Sequence, residues 1–155
     1  MDQFNFKKVR QNLEKVKKDL PKVLANEVRD HFVANFKNEG FEDHHWQEVK
    51  RRIPGTPEYR WPAEPKAGSR SRPILTGTGA LQQAVANSIV SADFKKILLK
   101  VTGVPYAAVH NNGLKLSRGT GNMPQRKFMG DSAELREKLK GKIKASVGQI
   151  WKTGS

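Results

Sequence analysis

The chain has 155 residues, enough for one domain with a core of its own, and a formal net charge of +14. It has no cysteine, which excludes disulfide frameworks and thiolate metal sites. No apolar run reaches the roughly 18–20 residues of a bilayer span or makes a signal-peptide core. The expectation is therefore a soluble protein of a reducing compartment whose basic surface favours nucleic acid or acidic protein faces.

Residues 6–36 predict a long amphipathic helix. Val9, Leu13, Val16, Leu20, Leu24, Val28, Phe32 and Phe36 recur every three or four residues as one apolar stripe, and most lysines fall on other faces. Pro21 interrupts the pattern and predicts a kink or two consecutive helices, because it removes a ladder donor and clashes one turn back. Gly40 is the expected stop. Trp46 to Ile53 then has room for a helical turn or two. Residues 54–73 hold five of the eight prolines, so no regular element is expected there. Tyr59 and Trp61 within this stretch argue for an extended arm that docks on something, ordered on assembly.

Thr78 is the expected N-cap of a short helix running to about Asn87, with Leu81 and Val85 on one face. Ile89-Val90 and Ile97-Leu98-Leu99-Lys100-Val101 read as an antiparallel hairpin turning near Asp93-Phe94. Tyr106 to Asn111 predicts one helical turn closed by Asn-Asn-Gly, although Asn-Gly also marks a hairpin turn. A Gly-rich loop with Gly113, Gly119 and Gly121 follows. Asp131 or Ser132 caps a last helix whose apolar positions are Leu135, Leu139, Ile143, Val147 and Ile150 or Trp151. The expected fold class is α+β: a long N-terminal amphipathic helix and a C-terminal helix packed on a small antiparallel sheet, with a long Pro-rich arm.

No residue pattern points to bond-making chemistry. His44-His45 beside Glu42 and Asp43 invites a metal, but adjacent histidines point different ways and no second pair at ligand spacing exists. His110, four residues after Tyr106, reads as a packed or interface histidine, since no nucleophile or orienting partner is apparent. Gly77-Thr78-Gly79 lacks the lysine of a phosphate loop. Neither a metal nor a cofactor is expected. The charge is more informative: residues 81–130 hold seven lysines and arginines against one acid, Asp93. Lys95, Lys96 and Lys100 are the basic-patch candidates. No helix-turn-helix, zinc finger or RNA-binding aromatic pair accompanies them, so contact with nucleic acid would be through charge alone, without reading bases.

Several pieces occur in a suggestive order. They are Phe36 with the later Trp46; Ile74-Leu75-Thr76-Gly77-Thr78-Gly79-Ala80-Leu81; Val101-Thr102-Gly103; Tyr106-Ala107-Ala108-Val109-His110 closing on Gly113; and Met123-Pro124-Gln125-Arg126-Lys127-Phe128-Met129-Gly130 before the last helix. In this order they resemble the tailed-phage virion-morphogenesis family (tail completion, head–tail joining) over residues 32–139. The resemblance implies a small α+β neck protein, non-enzymatic, forming a homo-oligomeric ring, commonly a hexamer, between head connector and tail tube. It implies a place in the virion, and in the bacterial cytoplasm during assembly. It also implies that residues 1–155 form a single domain of that type. By the same resemblance Tyr106 and His110 sit on the short segment after the central strand. Pro124, Arg126 and Phe128 form the extended stretch that anchors the last helix. Two departures stand out: the Pro-rich arm, and Lys127 where the family more often has proline. Tyr59, Trp61, Tyr106, His110, Arg126 and Phe128 are thus the interface or anchor candidates.

Overall fold

One helix, α1 (Phe6–Asn38), takes 33 residues, roughly nine turns. It belongs to a computed structural model that describes residues 4–61, 70–115 and 122–152. Pro21 lies inside α1; of the two outcomes expected there, a kink or two consecutive helices, the second does not occur. A proline inside a helix costs about 3 kcal/mol. Burial of Leu20, Pro21 and Ala25 on that turn opposes the loss. The helix also ends differently from the expectation. Glu39, not Gly40, takes the left-handed conformation, at φ 48°.

Gly40 is needed for another reason. It opens β1 (Gly40–Phe41), which pairs antiparallel with β2 (His44–His45), an unforeseen hairpin. A Cβ at Gly40 would stand 2.7 Å from the His44 carbonyl oxygen, closer than such atoms pack. A 3₁₀ turn at Lys50–Arg52 is what forms of the helix expected before Ile53. The expectation that residues 54–73 hold no regular element is corrected by α2 (Pro57–Arg60). Proline suits the first helical position, where its missing N–H has no ladder partner anyway, and the Thr56 hydroxyl accepts from the Tyr59 N–H at 3.2 Å. Within the arm, residues 62–69 lie outside the described residues.

Helix α3 (Ala80–Ala86) buries Leu81 and Val85 as expected, but its N-cap is Gly79 at φ 78°, with no side-chain cap. The Thr78 hydroxyl only approaches the Ala80 N–H at 3.4 Å. The expected hairpin is β3 (Ile89–Ala92) with β4 (Ile97–Leu99), extended by the Lys100 N–H donating to the Ser88 carbonyl. The strand stops at Leu99, short of Val101. Helix α4 (Ala107–Asn112) ends on Gly113 at φ 67°, and β5 (Leu114–Lys115) pairs with β6 (Asn122–Met123). Gly119 and Gly121 lie outside the described residues. Helix α5 (Ala133–Lys152) starts at Ser132, whose Oγ accepts from the Leu135 N–H at 3.1 Å.

The class is α+β, with both long helices as expected. In place of one small sheet, the described residues form three separate two-stranded antiparallel pairs. Their strands are only two to four residues long, little more than the shoulders of their turns. Contacts group the chain into two compact units. The first comprises Met1–His31, Ser88–Lys100 and Asp131–Ser155, and the second Phe32–Asn87 and Val101–Gly130. The second has a dense aromatic core. Phe36 meets Trp46 edge-on at 5.8 Å and Phe128 at 5.4 Å, with Phe32, Phe41, Ile74, Leu81, Val85 and Ala107 also buried. The core of the first is thinner: Leu20, Ala25, Leu135 and Ile150.

Candidate functional site

In the first unit the β3–β4 turn is built by Asp93. Its Oδ1 accepts from the backbone N–H groups of Lys95 and Lys96, both at 2.8 Å, while its own N–H donates to the Lys96 carbonyl at 3.0 Å. These bonds close the turn locally, and Phe94 at its tip is 67% exposed. Beside the turn runs a groove of about 330 Å³. Leu20, Pro21 and Leu24 of α1, Ile97 of β4 and Ile143 of α5 supply its apolar lining, and Lys95 and Lys96 also line it. An ion pair between Lys142 of α5 and Glu27 of α1 at 2.9 Å helps hold the two helices together. Lys100, just past β4, is exposed and does not line the groove. The structure therefore gathers Lys95 and Lys96 and leaves Lys100 apart.

Apolar side chains of this unit remain uncovered at the groove and beyond it. Phe6 and Leu13, seven residues apart on α1, and Ile143, Val147 and Trp151, four apart on α5, are exposed rows at the helical period. Val90 and Leu98 of the hairpin are exposed too. The stripes predicted as core are thus core only in part.

Three of the other sequence candidates meet in the second unit. Tyr106 packs edge-on against His110 at 5.8 Å, and the Arg126 N–H donates to the His110 carbonyl at 2.7 Å. Arg126 is buried; its Nη2 donates to the Gln47 carbonyl at 3.2 Å, and its Nε has no partner. His110 Nδ1 is likewise buried and unpartnered. Burial, and then the Arg126 guanidinium, hold the His110 pKa below the ordinary imidazole value. Phe128 is 2% exposed, an anchor in the core. Asn111 fixes the stretch leading to it, its Oδ1 accepting from the N–H groups of Phe128 and Met129 at 2.9 and 3.0 Å. Asn35 Nδ2 donates to the Phe128 carbonyl, and Trp46 Nε1 to that of Lys127.

The arm aromatics part company. Arg70 stacks over the Tyr59 ring at 4.6 Å and its Nε donates to the Tyr59 carbonyl. Trp61 is 75% exposed. His44 and His45 both lie exposed on β2, and among the described residues no three His, Asp or Glu side chains come together as a metal site would require.

Two features escaped sequence reasoning. Phe94 left a signal: a phenylalanine in a polar turn, next to two lysines, has no local reason to be there. Glu39 left none. Its carboxylate takes the Arg52 fork at 2.7 and 2.9 Å and the Ile74 N–H at 2.6 Å, and its carbonyl accepts from the Trp46 N–H at 2.7 Å. Hydrogen bonding to Arg52 is the main cause that draws its pKa below the carboxylate range, against desolvation.

Among the described residues no helix is long and apolar enough to cross a membrane. Compared with family models, curated proteins and solved structures, the chain matches none.

Proposed function

We propose that this chain is a non-enzymatic structural subunit that works by assembling with copies of itself and with neighbouring proteins. The motif resemblance supplies the place, the head–tail junction of a tailed phage, with connector and tail proteins as neighbours. One observation carries the assembly reading: the second unit has a well-filled aromatic core, whereas the first leaves rows of apolar side chains uncovered. Monomeric proteins scatter such residues singly; rows at the helical period mark a surface that another surface covers.

The magnitudes say how strong self-assembly would be. Covering Phe6, Leu13, Ile143, Val147 and Trp151, each already part-covered, offers roughly 5–10 kcal/mol. Association costs about 4–15 kcal/mol, so contact between two copies is weak by this face alone. Repulsion between copies of charge +14 weakens it further at low salt. Self-association should therefore strengthen as salt rises.

The second reading is a nucleic-acid-binding module without sequence specificity, favoured by the exposed Lys95, Lys96 and Lys100. Its salt dependence has the opposite sign, because binding releases counterions. Sedimentation velocity of the purified chain from about 0.05 to about 0.5 M salt, with and without random duplex DNA, separates them. Larger species at high salt support the subunit. A monomer at every salt and protein concentration, with DNA bound tightly at low salt, refutes it in favour of the binding module.

A further inference from the structure

We propose that the groove between α1, the β3–β4 turn and α5 is a docking site for an acidic amphipathic segment of a different protein. One or two large apolar side chains would enter the groove, and carboxylates on the same segment would meet Lys95 and Lys96. The proposal deepens the assembly reading by assigning the kind of neighbour this face takes, and rests on it.

Shape and polarity set the first condition. At about 330 Å³ the groove lies at the small end of binding cavities, which run to roughly 1,000 Å³. Its floor is aliphatic, from Leu20, Leu24, Ile97 and Ile143, with Phe94 standing at the edge. This suits a helix laid in a groove and anchored by side chains three or four residues apart. Nucleic acid would pair with the lysines but gain nothing from an aliphatic floor, since bases stack on aromatic faces. The floor therefore favours a protein segment.

Charge complementarity sets the second condition and decides against another copy of this chain. The first unit holds seventeen lysines and arginines against nine acids, an excess of eight positive charges. Six of those nine acids are already paired within the unit: Glu14, Glu27, Asp30, Asp131, Glu134 and Glu137. Asp93 Oδ1 is committed to the turn amides. Lys95 and Lys96 carry no ion pair among the described residues. A second first unit would bring mostly like charge and few uncommitted carboxylates. A partner rich in Asp and Glu brings what is missing.

The test uses the full chain and three probes: a fluorescent synthetic helix with leucines at helical spacing and glutamates elsewhere, the same helix with lysine replacing each glutamate, and random duplex DNA. The glutamate helix is expected to bind and the lysine helix not. The double variant Lys95→Glu/Lys96→Glu should weaken the glutamate helix about tenfold or more, since two attractions become repulsions. Phe94→Ser and Ile143→Ser, both at exposed positions, should weaken it while leaving any DNA binding unchanged. Thermal melts of each variant confirm the fold. Equal affinity for the two helices, or no effect of the double variant, overturns the proposal. Competition by DNA that is indifferent to Phe94→Ser overturns it in favour of a nucleic-acid surface. Sedimentation of the same samples separates the two readings: intact self-association with no helix binding sinks the groove proposal alone, and helix binding by a permanent monomer sinks only the self-assembly.

Discussion

Glutamate 39 offers the sharpest test of how the second unit is held together. Its carboxylate accepts three bonds of 2.9 Å or less, two from the Arg52 guanidinium and one from the Ile74 N–H, and so ties the chain before the Pro-rich arm to the chain after it. Both side chains of the pair are about three-quarters covered, at 24% and 21% exposed, so solvent screens the interaction only in part. Hydrogen bonds to a charged partner contribute about 1.5–3 kcal/mol each. In Glu39→Gln the amide oxygen can keep Ile74, but the fork to Arg52 is lost. Glu48, at 3.3 Å from the same guanidinium, recovers part. The expected cost is about 2–3 kcal/mol, a melting point lower by about 5–10 °C. Buried Trp46, whose backbone N–H donates to the Glu39 carbonyl, provides the fluorescence signal for urea and thermal unfolding. The backbone supplies an internal control: Glu39 sits at φ 48°, so Glu39→Gly should be less damaging than Glu39→Ala by about 1 kcal/mol. The pH dependence has a definite sign. A carboxylate whose folded pKa is depressed contributes fully above its unfolded value, and that contribution is lost as pH falls through the folded value. Wild type should thus shed stability below about pH 4.3 more steeply than Glu39→Gln. Equal urea midpoints for wild type and Glu39→Gln at neutral pH would refute this reasoning, as would equal stability of the alanine and glycine variants.

Two glycines should respond in opposite directions. Gly40→Ala forces a Cβ against the His44 carbonyl and should cost about 1–3 kcal/mol, whereas Gly141→Ala, with open space around it inside α5, should stabilise by up to about 1 kcal/mol; urea midpoints decide both. His110 should confer acid sensitivity at milder pH. Its depressed pKa means the unfolded chain takes up the proton first, so stability is full above about pH 6.5 and falls as pH drops through the folded value. The gap between urea midpoints at about pH 7.5 and pH 5.5 should shrink in His110→Gln, and an unchanged gap would show that His110 is not the group responsible.

Much of the framework was legible because its signals are local. The apolar period of α1 and α5, the Ser132 cap, the Leu81 and Val85 face of α3 and the turn at Asp93 each follow from residues within a few positions of one another. Proline in the arm was misread because its cost was weighed without its position. At residue 57 the first helical position makes the missing donor irrelevant, and at residue 21 the helix continues, with Leu20, Pro21 and Ala25 buried on that turn. Among the site residues, the sequence did not show that Phe128 and Arg126 would both be buried.

The two long helices, the apolar face of α3 and the turn at Asp93 were thus written in the chain itself, because a helix or a tight turn is closed by bonds its own neighbours make. What required the tertiary structure was every relation across distance. Trp46 finds the Lys127 carbonyl 81 residues away, and Glu39 finds Ile74 35 residues away. It also required the count of what remains uncovered. Spacing shows that Ile143 and Leu20 share the character of core residues, but only packing decides that Leu20 is buried while Ile143 stays open in a groove beside Lys95 and Lys96. Burial depends on which surfaces meet, and no stretch of sequence specifies that by itself.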